Sequence, residues 1–214
     1  MIKKEEIYHI IFAIIVLTFA VLYNPIINKN FEYGLLFLSL IFIAIIIIGN
    51  VLAKKISAYY FESEVSVKSW MWERYGFKRH NYFKMPIPLG IILSFIIAII
   101  SKGLFIFMAI LESDAEGTSA RASKRHGIYR FTELTEGNLG MILASGVVFN
   151  LLLAIIAYLV DLSLLSRWSI YYAAYSLLPF GALDGTKIFF GSRVLWFALV
   201  IITAIFLSYA LLMP

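Results

Sequence analysis

The stretch Pro86-Ile87-Pro88-Leu89-Gly90-Ile91-Ile92-Leu93-Ser94-Phe95-Ile96-Ile97-Ala98-Ile99-Ile100-Ser101-Lys102-Gly103-Leu104-Phe105-Ile106-Phe107-Met108-Ala109-Ile110-Leu111 decides how this protein is organised. Its apolar residues run longer than the roughly 20 needed to cross a bilayer core as a helix. Ser101-Lys102-Gly103 breaks the run near its middle, placing a turn and a charge where lipid would not welcome them. Segment 86–111 is therefore either one helix with a snorkelling lysine or a re-entrant hairpin whose ends lie on the same side. The choice sets the topology of everything after it.

The same ruler marks apolar spans at 7–23, 34–53, 137–160, 169–184 and 193–213, with polar stretches at 24–33, 54–85, 112–136 and 161–168. Basic loop residues favour the cytoplasmic side, so counting them discriminates. If 86–111 crosses as a simple helix and the N-terminus is inside, ten Lys and Arg fall inside and seven outside. If it is a hairpin, fifteen fall inside and only Lys29 and Arg167 lie outside. The expectation is an all-α polytopic membrane protein with five transmembrane helices plus a re-entrant hairpin, the alternative being six transmembrane helices. The whole of 1–214 forms one membrane domain in the cell membrane, its N-terminus cytoplasmic and its C-terminus outside. The first apolar run mimics a secretory leader. Tyr23-Asn24-Pro25 follows it instead of a small-residue cleavage site, so it reads as a retained helix.

Composition agrees. Of 214 residues, 62% are hydrophobic and 14% charged, against roughly half and a quarter in soluble domains. The net charge of +5 does not argue for nucleic acid, because the basic residues cluster in loops beside apolar runs. Cysteine is absent, which excludes disulfides and thiolate metal sites. The 54–85 loop mixes basic residues with Trp70, Trp72, Tyr75, Phe77, Tyr82 and Phe83, a composition suited to the membrane interface. Within it, Glu62 to Trp70 alternates enough for one short cytoplasmic strand.

Three constellations carry chemistry. In Leu177-Leu178-Pro179-Phe180-Gly181-Ala182-Leu183-Asp184-Gly185, an aspartate ends an apolar span behind a Pro and a Gly that loosen the helix. An intramembrane carboxylate is a site candidate, although Asp184 could equally terminate a helix at the interface with Gly185 as the turn. In Ala144-Ser145-Gly146-Val147-Val148-Phe149-Asn150, small residues precede a buried Asn150, a pattern that close helix packing explains by itself. In Gly49-Asn50-Val51-Leu52-Ala53-Lys54-Lys55, the second span ends on polar residues. Under the hairpin topology, residues 50–54 and Asp184 share the cytoplasmic side.

Over most of 40–200 these motifs resemble the site-2 protease family of intramembrane zinc metalloproteases. That family carries an HExxH helix, a later small-residue asparagine motif and an LPxxxLDG motif. The last is matched by Leu178-Pro179 through Leu183-Asp184-Gly185, the second loosely by 144–150. The resemblance implies that Asp184 corresponds to the third zinc ligand. The HExxH position, however, reads Asn50-Val51-Leu52-Ala53-Lys54. Zinc needs the two histidine nitrogens, and the water needs the glutamate base. Asn50, Val51 and Lys54 supply neither.

The expectation is a pseudoprotease: a proteolytically inactive member that binds or escorts membrane segments, with lipid and transmembrane segments as partners and no cofactor. Its site would comprise Asp184, Asn150, Lys54 and Asn50. Asn50 and Lys54 share a helix face, and the resemblance implies that this face points at Asp184, so that the Lys54 ammonium would stand there in place of zinc while Asn50 adds a hydrogen bond. Alternatively, Lys54 snorkels to the headgroups beside Lys55. Two other functions stay open: an active metalloprotease whose zinc site is rebuilt from His80 or His126 with Asp184, and a structural subunit of a membrane complex. A transporter is disfavoured, since Lys102 and Asp184 form no series of intramembrane ionisable groups.

Overall fold

The computed structural model describes residues 4–30, 32–74, 82–118 and 134–212. In sequence order these form α1 (Lys4–Ile27), α2 (Tyr33–Tyr60), β1 (Ser63–Ser69), β2 (Trp72–Arg74), β3 (Tyr82–Ile87), α3 (Leu89–Ile100), β4 (Leu111–Gly117), α4 (Glu136–Leu159), α5 (Ser163–Ser176), α6 (Asp184–Gly191) and α7 (Arg193–Leu212). Four of these, α1, α2, α4 and α7, are long and apolar enough to cross a membrane. In hydrocarbon a backbone must satisfy its own N–H and C=O groups, and a helix does so within one segment. Such surroundings would favour helix even for the Ile-rich run of α2, whose β-branched residues would suit a strand in water.

The protein is mostly helical, with two short strand pairs beside the helices. β1 pairs antiparallel with β4, Ser63 opposite Gly117 and Ser69 opposite Leu111. β2 pairs with β3, Trp72 opposite Ile87. The alternation read at Glu62 to Trp70 does form a strand, β1, with Val65, Val67 and Ser69 buried. Its partner β4 lies within the stretch read as a polar loop, and α2 continues to Tyr60, beyond the expected end of its span.

Segment 86–111 is not one helix. α3 stops at Ile100, and the backbone turns through Lys102 and Gly103, both at positive φ. It then returns without helix, so that Ile110 C=O accepts from Trp70 N–H while Gly90 N–H donates to Trp70 C=O. Both ends of the segment therefore meet at Trp70, just past the end of β1. Its tip lies elsewhere: Asn24 Nδ2 donates to Lys102 C=O at 3.1 Å, near the C-terminal end of α1. The other end of α1 touches the β1–β4 side, through Glu6 to Lys55 and His9 Nδ1 to Ser69 Oγ at 3.0 Å. Lys102 thus stands at the opposite end of α1 from the sheet.

The span expected at 169–184 is also corrected. α5 starts at Ser163 and ends at Ser176, just before Leu178-Pro179, and α6 begins at Asp184. Pro179 cannot continue a helix, and its ring disfavours helical geometry at Leu178. With 14 residues, α5 is about 21 Å long and shorter than a bilayer core.

α4 lies at the centre and packs on α2, α5 and α6, while α1 packs on α2, α3 and β1. The main core joins Val16 and Leu17 of α1, Ile43 and Ile47 of α2, Ile142 of α4 and Trp168 of α5. α7 is different. Only 17% of its most apolar window is buried, and Phe197, Ile201 and Ile205 face outward. A helix apolar on its outer face needs an apolar surrounding.

Candidate functional site

The C-terminal half of α2 brings Asn50, Val51 and Lys54 into the interior, where all three are buried. Asn50 and Lys54 face α4 at Gly146. A Cβ on Gly146 would stand 2.5 Å from Lys54 Cε and 2.7 Å from Asn50 Nδ2. Any larger residue at that crossing would have to push one of the two side chains aside. From the other side, the break at Pro179 delivers Asp184 as the first residue of α6, where a carboxylate suits the positive end of the helix.

Lys54 and Asp184 form a buried ion pair, their side chains only 3% and 5% exposed. Ser113 of β4 completes the arrangement. Lys54 Nζ donates to Ser113 Oγ at 3.0 Å, and Ser113 N–H donates to Asp184 Oδ1 at 3.1 Å. One turn along α6, Lys187 Nζ donates to Ser113 C=O at 2.7 Å and lies 3.5 Å from Asp114 Oδ1. Of the two sequence readings, the ammonium follows the one that places it on Asp184 and not the one that sends it to the headgroups.

Asn50 behaves otherwise than expected. It is fully buried, yet its amide makes no hydrogen bond among the described residues, so the predicted bond to the ion pair is not formed. Asn150 lies four residues from Gly146 on α4. Its amide is likewise buried without a partner among the described residues, while its backbone C=O accepts from Ser169 Oγ at 2.8 Å. Val51 packs into the main core. His9 serves Ser69 at the sheet end, and His80 and His126 lie outside the described residues.

The donors around Asp184 suit a divalent metal poorly. The carboxylate already holds an ammonium and a backbone N–H, and among the described residues no three His, Cys, Asp or Glu converge. Lys54 would repel a cation placed there.

Sequence reasoning missed Ser113 and Lys187. Nothing marks Ser113 until the β1–β4 register is known. Lys187 was readable as three residues beyond Asp184, but only if Asp184 starts a helix instead of ending one.

Further along β4, Glu112 is buried with Lys68 at 3.1 Å. Burial pushes the Glu112 carboxyl above its ordinary range despite the opposing hydrogen bond from Lys68, and that bond raises Lys68 in turn. The folded state thus favours protonated Glu112. This contribution to stability is present below the ordinary glutamate pKa of about 4.3 and is lost as pH rises through the folded value. Lys68→Met removes the opposing cation, so the loss of stability with rising pH is expected to deepen. Thermal unfolding of the two proteins between about pH 4 and pH 8 checks this.

No family model, no curated protein and no solved structure matches this sequence.

Proposed function

We propose that this is an integral membrane protein of site-2-protease-like design that binds or escorts membrane segments without cutting them. The observation that carries the reading is the Lys54 ammonium seated on Asp184, with Asn50 and Val51 at the two neighbouring positions of the motif. Hydrolysis through zinc needs an open metal position and a base for its water. An ammonium, an amide and an isopropyl group supply neither, and the ion pair fills the place.

The topology that goes with this reading has the N-terminus in the cytoplasm and the C-terminus outside, in the cell membrane. The protein crosses at α1, α2, α4 and α7, with α5 and the arm after it forming a fifth crossing. Segment 86–111 enters and leaves on the cytoplasmic side, beside the β1–β4 sheet. The meeting of its ends at Trp70 supports this, as does the cytoplasmic excess of basic residues. Beside the Asp184 arm, an apolar cavity of about 370 Å³ lies between Trp70, Leu93, Phe107, Leu178 and Leu183. A lining of this kind suits the apolar side chains of a membrane segment.

Metal analysis of the purified protein, paired with isolation from its native membrane, tests the reading. The expected result is zinc far below one per molecule and intact single-span segments co-isolated with it. Stoichiometric zinc that disappears in Asp184→Ala would overturn the reading in favour of a rearranged metalloprotease. Fixed partners at unit stoichiometry would turn it towards a structural subunit.

A further inference from the structure

We propose that α6 closes the outer edge of β4 with its own side chains, so that no further strand can join this sheet until α6 withdraws. In an antiparallel pair, opposed residues alternate between those that exchange hydrogen bonds and those whose N–H and C=O point away from the partner. Trp70 N–H to Ile110 C=O and Thr118 N–H to Glu62 C=O fix that alternation here. Val67 opposite Ser113, and Val65 opposite Ala115, are outward-pointing pairs.

On the outward side of β4, Ser113 N–H is taken by Asp184 Oδ1 and Ser113 C=O by Lys187 Nζ. These are the two groups through which an added strand would attach at that residue. One acceptor and one donor, three residues apart on a helix, thus imitate one residue of a neighbouring strand. Ala115 N–H is taken as well, by the carboxylate of Asp114. The opposite edge is treated alike: Lys55 Nζ donates to Val65 C=O at 3.1 Å while paired with Glu6. Lysines placed on edge groups are a known means of keeping exposed sheets from recruiting other strands.

The buried ion pair acquires a second role from this geometry. Lys54 holds Asp184 and donates to Ser113 Oγ, so it fixes both halves of the contact that closes the edge. Opening the edge at Ser113 N–H means drawing Asp184 away and leaving Lys54 buried without its carboxylate. For an escorted membrane segment, the corollary is docking as a helix and not as an unwound strand. That corollary rests on the escort reading. The closed edge does not.

The test needs no client. The probe is a synthetic peptide of the β1 sequence, Ser-Glu-Val-Ser-Val-Lys-Ser, which already matches β4, carrying a photoreactive group at its N-terminus. It is offered to the full-length protein in detergent, and labelling of 111–117 is read by mass spectrometry. Wild type and Lys187→Arg are expected to stay at background. Lys187→Ala frees Ser113 C=O but leaves Asp184 on Ser113 N–H, and is expected to stay close to background. The triple variant Lys54→Met, Asp184→Leu, Lys187→Ala is expected to label most, and it leaves none of these buried charges unpaired. Wild-type labelling above background would overturn the proposal, as would a folded triple variant that stays at background. Labelling as expected, with no membrane segment co-isolated from native membranes, would sink the escort reading alone.

Discussion

Lys54→Met is expected to destabilise the protein by about 3–5 kcal/mol, the usual cost of leaving one member of a buried ion pair without the other. The magnitude follows from the burial of both groups and from Ser113 N–H, which remains as the stranded carboxylate's hydrogen-bond donor. Asp184→Leu should cost a similar amount, since it strands the ammonium instead. The double variant Lys54→Met, Asp184→Leu should recover most of the loss, because replacing a whole buried pair with apolar residues of similar volume is often neutral or better. Thermal or denaturant unfolding of the four proteins in one detergent forms a double-mutant cycle. Additive losses in the two single variants would show that the groups do not act as a pair.

Gly185→Ala is expected to have an effect at least as large, for a steric reason. A Cβ at Gly185 would collide with the Leu177 carbonyl group and stand 2.6 Å from Leu178 O. These are backbone atoms, so nothing there can swing aside to make room. Overpacking a core costs about 1–3 kcal/mol when neighbours can yield, and more when they cannot. The first turn of α6 would have to lift from the end of α5, carrying Asp184 away from Lys54 and Ser113. The expected outcome is a loss of more than about 3 kcal/mol, measured by the same unfolding assay. Gly146→Ala makes a useful comparison. There the obstructing atoms belong to the side chains of Lys54 and Asn50, which can rearrange at lower cost.

The sequence made the long apolar helices legible because bilayer thickness imposes a length on them, and α1, α2, α4 and α7 all lie close to where that ruler put them. The Lys54–Asp184 pairing was legible as one of two readings, since a buried carboxylate needs a cation, but a lysine beside Lys55 could equally have snorkelled and only tertiary structure decides. α5 was misplaced because its start at Ser163 lies in polar residues, Ser166 and Arg167 among them, which hydropathy counts as loop. Tertiary contact decides there: Ser166 Oγ donates to Ala154 C=O at 2.9 Å, which satisfies the hydroxyl inside the bundle. The hydrogen bond assigned to Asn50 failed for a related reason. Sharing a helix face with Lys54 fixes a direction but not a reach, and Ser113 of β4 takes the contact with the ammonium instead. β4 itself was hidden because Leu111-Glu112-Ser113-Asp114 has no clean alternation. Its first three residues are all buried, so neither face of the strand shows the polar rhythm of a half-exposed one.

The return from the tip at Lys102 to β4 has the character of a measured length. α3 descends through 12 residues, about 18 Å, whereas the return through 104–110 uses seven, held to Ser101 at its start and turned at its end, where Ile110 N–H donates to Met108 C=O at 3.0 Å. The arm is anchored at Lys102 C=O by Asn24 and at Ile110 C=O by Trp70, so an inserted or deleted residue must be taken up between those two points or passed on to β4. Passed on, a change of one would slide β4 by a single position along β1. Because neighbouring strand residues present opposite faces and opposite edges, the backbone groups of Ser113 would then turn inward towards β1. The number of residues in this arm, more than their identity, thus keeps Ser113 in reach of α6, so substitutions here should be better tolerated than changes of length.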